Sequence, residues 1–291
     1  MTSSADVSTS AAPSTLRRLL RPSSIGGWLV WGMIAVFFVA IFALIFTVFL
    51  DSIATTWFGS WLPDDFTTHW YGDAWAEFDL ANVLLVTGQV AVAVVVISAL
   101  IGVPAAYALA RRDFPGKRIV TVLFLLPILI PPITYGIPLA TVLYKVQLAG
   151  SLFGVIVANL VPTVPFVVLV MIPFIEQIDP KIEAAARMCG AGTMTIFFRI
   201  VGPLLVPGIL AAGVLVLVRT VGMFELTFLT SGPSSSTIVV VLYGAVFGAG
   251  IRAPQEVDAM AVLYTASMLV LLVTALRFVN PTQLVTRVGG R

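Results

Sequence analysis

Residues 176–203 read EQIDPKIEAAARMCGAGTMTIFFRIVGP and break an otherwise apolar chain with a segment that is polar yet helix-forming. Asp179-Pro180 supplies a helix N-cap followed by a first-turn proline, Ile182 to Met188 favours helix, and Gly190-Ala191-Gly192 stops it before Thr193 opens a second short helix. The stretch therefore predicts helix, glycine turn, helix, offered to something soluble.

On either side of it the composition is that of a membrane protein. The chain is 59% hydrophobic and 10% charged, and its mean hydropathy is +1.06. Apolar stretches of roughly 20 residues recur, enough to cross about 30 Å of hydrocarbon, which favours a helical bundle over a barrel of alternating strands. A net charge of +2 and the absence of basic runs interleaved with aromatics exclude a nucleic-acid partner. One cysteine, Cys189, and one histidine, His69, cannot build a disulfide framework or a metal cluster.

Residues 1–27 read as a disordered, basic cytoplasmic segment, with Arg17, Arg18 and Arg21 ahead of the first apolar run. Trp28 to Leu50 is too long for a signal-peptide core and is expected to be retained as the first transmembrane helix. The loop 51–80 carries Asp51, Asp64, Asp65, Asp73, Glu77 and Asp79 but no Lys or Arg, so the positive-inside rule places it outside and the N-terminus in the cytoplasm. Its tryptophans suit an interfacial belt.

Five further spans are expected between 81 and 280: about 81–110, 119–144, 152–175, 204–224 and 258–278. Arg111, Arg112, Lys117 and Arg118 mark a cytoplasmic turn. Pro127, Pro131, Pro132 and Pro138 in the third helix, and Pro162, Pro165 and Pro173 in the fourth, predict kinked helices bordering a cavity. Thr237 to Gly250 is too short to span and is expected to be re-entrant or interfacial. The fold class is thus an all-α membrane protein of six transmembrane helices with both termini cytoplasmic, 281–291 forming a cytoplasmic tail.

The 176–203 stretch resembles the coupling loop of permease subunits of binding-protein-dependent ABC importers, whose pattern is Glu-Ala-Ala, three residues, Gly, nine residues, then Ile-x-Leu-Pro. Gly190, Ile200 and Pro203 fall on that spacing, and Ala185 and Ala186 on its alanines. Ala184 holds the place of its glutamate, with Glu183 one residue early, which on a helix turns the side chain by about 100°. Gly202 replaces the leucine before the proline. Arg187 is a candidate to share the polar contacts.

The resemblance covers roughly residues 80–280, through Arg111-Arg112-Asp113-Phe114-Pro115-Gly116-Lys117, Leu126-Pro127 and Pro203-Leu204-Leu205-Val206-Pro207-Gly208. Phe224-Glu225-Leu226-Thr227 is more similar to the spermidine/putrescine-type branch than to sugar permeases. It implies a transport subunit of the inner membrane of a prokaryote that is not itself an enzyme. It also implies two separate ATPase subunits carrying ATP and Mg, a second permease that is more readily a different chain than a second copy, and an extracytoplasmic solute-binding protein. In agreement, the chain has no Gly-x-x-x-x-Gly-Lys-Ser/Thr loop to cradle a nucleotide and needs no bound cofactor. A polyamine-like solute is expected, with a carbohydrate or polyol as the alternative.

An ionisable group in a span is costly and usually faces the bundle interior. Glu225 and Arg219 are therefore candidates to line the pathway, Arg219 as counter-charge to Glu225 or as a second lining residue, with snorkelling to the outer interface as the competing reading. Asn159, Tyr135 and Gln89 are polar candidates for the same pathway, or for bonds between helices. A membrane-embedded enzyme would need a convergent nucleophile and base, for which the lone His69 gives no support. A stand-alone channel would lack an ATPase partner.

Overall fold

The computed structural model describes residues 25–57, 60–248 and 252–278. The expected basic segment 1–27, apart from its last residues, and the tail 281–291 lie outside the described residues. Helix α1 (Ile25–Ser52) is apolar on all sides and packs mainly on the last helix, leaving most of its surface exposed, as a lipid-facing span requires. A short helix, α2 (His69–Glu77), follows in the acidic loop. Trp70 Nε1 donates to Ala54 C=O at 2.8 Å, and the Tyr71 and Ser52 hydroxyls meet at 2.7 Å, tying the loop to the end of α1.

The core is built by α3 (Leu80–Arg111), α6 (Leu152–Glu176) and α9 (Gly202–Val221). Val94, Val103 and Ala106 of α3 meet Val167, Val168 and Met171 of α6, with Leu205, Ala212 and Val216 of α9 completing one buried cluster. Lipid tails are as apolar as leucine, so close packing rather than water exclusion holds these helices, and small residues permit it. A Cβ on Gly102 would stand 2.7 Å from Val167 Cγ1, and one on Gly208 would stand 2.7 Å from the Phe174 ring.

The third expected span is not one helix. It is α4 (Lys117–Leu129) and α5 (Pro132–Lys145), bent by 99°. The cause is Ile130-Pro131-Pro132: a residue before proline is pushed out of the helical region, and Ile130 (ψ 132°) and Pro131 (ψ 134°) are both extended. Among the described residues, five helices are long and apolar enough to cross a membrane, six when the bent pair forms one span.

The segment after Gly192 also departs from expectation. Thr193 does not open a separate short helix: α8 (Thr193–Ile196) continues through a π-helical turn, Phe197–Val201, into α9, giving one 29-residue span. Pro203 lacks an N–H and would crowd the carbonyl four residues back in a regular helix. The wider π turn, in which Gly202 N–H donates to Phe197 C=O, accommodates it. A Cβ at Gly202 would lie 2.9 Å from that same oxygen, so glycine is what the turn admits.

Beyond α9, Gly222 ends the helix and α10 (Glu225–Thr230) begins after it. The apolar run near 240 is the ten-residue α11 (Ile238–Phe247), too short to span, and α12 (Pro254–Phe278) is the last helix. At the end of the bundle away from 176–203, Gly150 N–H donates to Thr230 C=O at 2.8 Å and Ser235 Oγ to Gly150 C=O at 3.1 Å. This clasp joins the loop after α5 to the loop after α10.

Candidate functional site

The helix of the decisive stretch, α7 (Pro180–Met188), is defined at both ends by its own sequence. The Asp179 carboxylate accepts from Lys181 N–H at 2.9 Å, and Pro180 occupies the first helical position, where no N–H is needed. At the other end Gly190 takes φ +83°, its N–H donates to Arg187 C=O at 2.9 Å, and Ala191 N–H donates to Ala186 C=O at 3.0 Å. These paired bonds are a Schellman cap, whose left-handed position favours glycine.

Glu183 points inward and is 2% exposed. One carboxylate oxygen accepts from Arg111 Nε at 2.8 Å, and the other accepts from Tyr107 Oη at 2.6 Å and Arg187 Nη2 at 3.3 Å. Arg111 also donates to Ile178 C=O, just before α7. Tyr107 in turn sets its ring edge against Phe197, the first residue of the π turn, with centroids 5.2 Å apart. A carboxylate this deep is tolerable only when fully paired. The node therefore fixes α7 to the end of α3 and to the base of α9.

The three alanines do not share one face. Ala184 and Ala185 are exposed, whereas Ala186 is half-buried against the core. The outward surface of α7 presents Ala184, Ala185, Arg187, Ile182 at 44% and Met188 at 90% exposure. Of the remaining motif residues, Ile200 packs on the core and Pro203 is exposed. Sequence reasoning passed over Tyr107 and read Arg111 as a topology marker and as part of the family-like 111–117 element, not as a partner of Glu183. Their separation of four residues at the end of α3 was the available signal, since it places both on one helix face.

The second candidate set converges in part. Arg219, half-buried near the end of α9, holds its guanidinium carbon 5.2 Å from the Phe166 ring centroid on α6. It makes no ion pair with Glu225 among the described residues: Gly222 ends the helix between them, and Arg219 leans on Phe166. The Tyr135 hydroxyl of α5 is buried without a hydrogen-bond partner among the described residues. Asn159, 1% exposed, donates from Nδ2 to Val155 C=O at 2.9 Å and to Thr227 Oγ1 at 3.2 Å, bonding α6 to α10. Gln89 does not join them; it is exposed in a shallow groove with Leu84, Leu85 and Val92.

Comparison with known proteins bears on the whole arrangement. Residues 98–283 match the family model described as "Binding-protein-dependent transport system inner membrane component". The chain is 33% identical over 169 residues to the "Probable sulfate transport system permease protein cysT" of Chlorokybus atmophyticus, covering 53% of this chain and 59% of that protein. It is 32% identical over 158 residues to the "Molybdenum transport system permease protein ModB" of Escherichia coli strain K12, covering 49% and 69%. The chain thus spans under two thirds of the first relative's length. Its fold is similar to a chain in the crystal structure of a bacterial ABC transporter that imports the acidic polysaccharide alginate, with a TM-score of 0.70 at 19% identity, covering 89% of this chain and 100% of that one.

Proposed function

The chain belongs to the family of binding-protein-dependent transport system inner membrane components, and from that premise we propose that it is the permease subunit of an ATP-driven importer, coupled to a separate ATPase through residues 176–203. The observation that carries this reading is the two-sided character of α7. Its inner side is bonded through Glu183 to Arg111 and Tyr107, and its outer side presents Ala184, Ala185 and Met188. Small exposed side chains let a helix enter a partner's groove, and a buried ionic link makes it a lever rather than a loose loop.

The proposed assembly has two ATPase subunits that bind ATP and Mg, a second permease of a different chain, and an extracytoplasmic solute-binding protein, in the cell membrane of a prokaryote. Two relatives are named for sulfate and molybdenum transport, which supports a small oxyanion as the solute. The polyamine reading rests on Phe224-Glu225-Leu226-Thr227 and on the acidic loop 51–80, and the carbohydrate reading on a fold shared with the alginate transporter.

Co-expression with an ATPase subunit tests the coupling. Ala185→Arg places a long cation on the outer side of α7 and is expected to lower the co-purified ATPase subunit about tenfold or more. Ala81→Arg, at the far end of α3 and also exposed, is the control. Equal recovery from both variants would remove α7 as the docking element.

A further inference from the structure

A cavity of about 610 Å³ runs between α3 and α9 from the 176–203 end of the bundle, lined by apolar side chains and glycines alone. Small residues keep it hollow: Ala99 on α3, Gly202 and Gly213 on α9, and Ala275 where the end of α12 borders it. Its rim is open, with Leu100 at 70% and Phe198 at 69% exposure. Gly208 of α9 faces the Phe174 ring of α6, and Gly213, five residues on, is turned about 140° from it. The cavity thus opens to the outside of the bundle, away from α6 and its buried Asn159.

Its size and its mouth say what fills it. The α3 wall runs from Val95 to Pro104, about 13.5 Å at 1.5 Å per residue, so the mean width is about 7.5 Å, against about 10 Å for a helix with its side chains. A partner's helix is too wide, and α1 is already engaged on α12. A hydrocarbon chain is thinner. At the mouth stands Arg199, in the π turn between the lining residues Phe198 and Gly202. It is exposed and makes no hydrogen bond or ion pair among the described residues. Helical side chains lean toward their own N-terminus, which here points the guanidinium to the 176–203 end, where lipid headgroups lie.

We propose that an anionic phospholipid seats an acyl chain in this cavity and its headgroup phosphate on Arg199, and, resting on the importer reading above, that the seated lipid supports coupling. The planar guanidinium matches two phosphate oxygens, and a net negative headgroup adds attraction that a zwitterionic one lacks. Phe197 links the seat to the coupling helix. It lines the cavity and also sets its ring against Tyr107, whose hydroxyl donates to Glu183. A chain packed against Phe197 and Gly202 braces the π turn from outside, and with it the node that holds α7.

Native mass spectrometry of the intact transporter with added phosphatidylglycerol or phosphatidylcholine tests the seat. Wild type is expected to retain phosphatidylglycerol in preference. Gly213→Leu fills the cavity and is expected to lower that retention about fivefold or more; a Cβ there meets Val95 Cγ1 at an ordinary 3.6 Å, so the fold tolerates it. Arg199→Gln is expected to lower retention of phosphatidylglycerol about fivefold and leave phosphatidylcholine unchanged, and Arg199→Lys to keep most of it. Gly88→Leu, in the shallow groove farther along α3, is the control and is expected to match wild type. In vesicles of the same two lipids, phosphatidylglycerol is expected to raise uptake by wild type and Gly88→Leu but not by Gly213→Leu. Equal retention by Gly213→Leu and Gly88→Leu, or of both lipids by wild type, would overturn the proposal. So would a thiol crosslink from Gly213→Cys to the second permease, which would put protein in the cavity. The ATPase subunit retained by each variant reports the coupling reading separately, because lipid retention is measured without reference to it.

Discussion

Glu183→Ala is expected to uncouple transport from ATP hydrolysis and to destabilise the chain by about 3 kcal/mol, the scale for removing one partner of a buried ion pair. The substitution strips the acceptor from Tyr107 and Arg111 together, and the Arg111 side chain is only 12% exposed, so its charge would be left with little water. Arg187, at 57% side-chain exposure and 3.3 Å, can turn to solvent and contributes less. Stability and coupling separate in a double variant. Glu183→Met with Arg111→Met removes both buried charges and is expected to recover most of the lost stability, while uptake stays low because α7 is no longer bonded to α3. Thermal unfolding and uptake measured on the same preparations check both parts. Full uptake in the double variant would show that the node is structural only.

The second large effect is steric. Gly102→Leu is expected to cost about 3 kcal/mol or more and to yield an aggregated chain, because a Cβ there meets Val167 Cγ1 at 2.7 Å, Val167 Cβ at 2.9 Å and the Val164 carbonyl oxygen at 3.3 Å. The backbone oxygen cannot rotate away, so α3 would have to separate from α6 along the largest helix interface of the bundle. Gly88→Leu on the same helix meets nothing within 4 Å and serves as the control. Comparable melting temperatures and monodispersity for the two variants would contradict the packing described.

Local chemistry was legible in the sequence and distant pairing was not. The cap at Asp179 and the left-handed turn at Gly190 were readable because both depend on neighbouring residues. The positions of most spans followed from hydropathy for the same reason. Pro131 and Pro132 announced a kink, but not its size of 99°, which depends on where α5 packs against α10. The π turn at 197–201 has no simple sequence period, and only Gly202-Pro203 hinted at it.

At the site, the family-like spacing located α7 but could not tell which way Glu183 faced. Its partners, Tyr107 and Arg111, lie 76 and 72 residues earlier in the chain. The one-residue offset from the resembling pattern is what turns this carboxylate inward, leaving Ala184 on the outer side. Arg219 shows the same limit. Its charge at the end of a span was evident, while its rest on Phe166 instead of Glu225 required the fold.

The central claim is that the outer side of α7 docks on an ATPase subunit. It is tested most directly by a cysteine at Met188, which is 90% exposed on that helix, in a Cys189→Ser background, with Phe247→Cys on α11 as the comparison. A short bifunctional thiol reagent applied to the assembled transporter is predicted to join residue 188 to the ATPase subunit and to leave residue 247 unjoined. A crosslink from 247 and none from 188 would contradict the account.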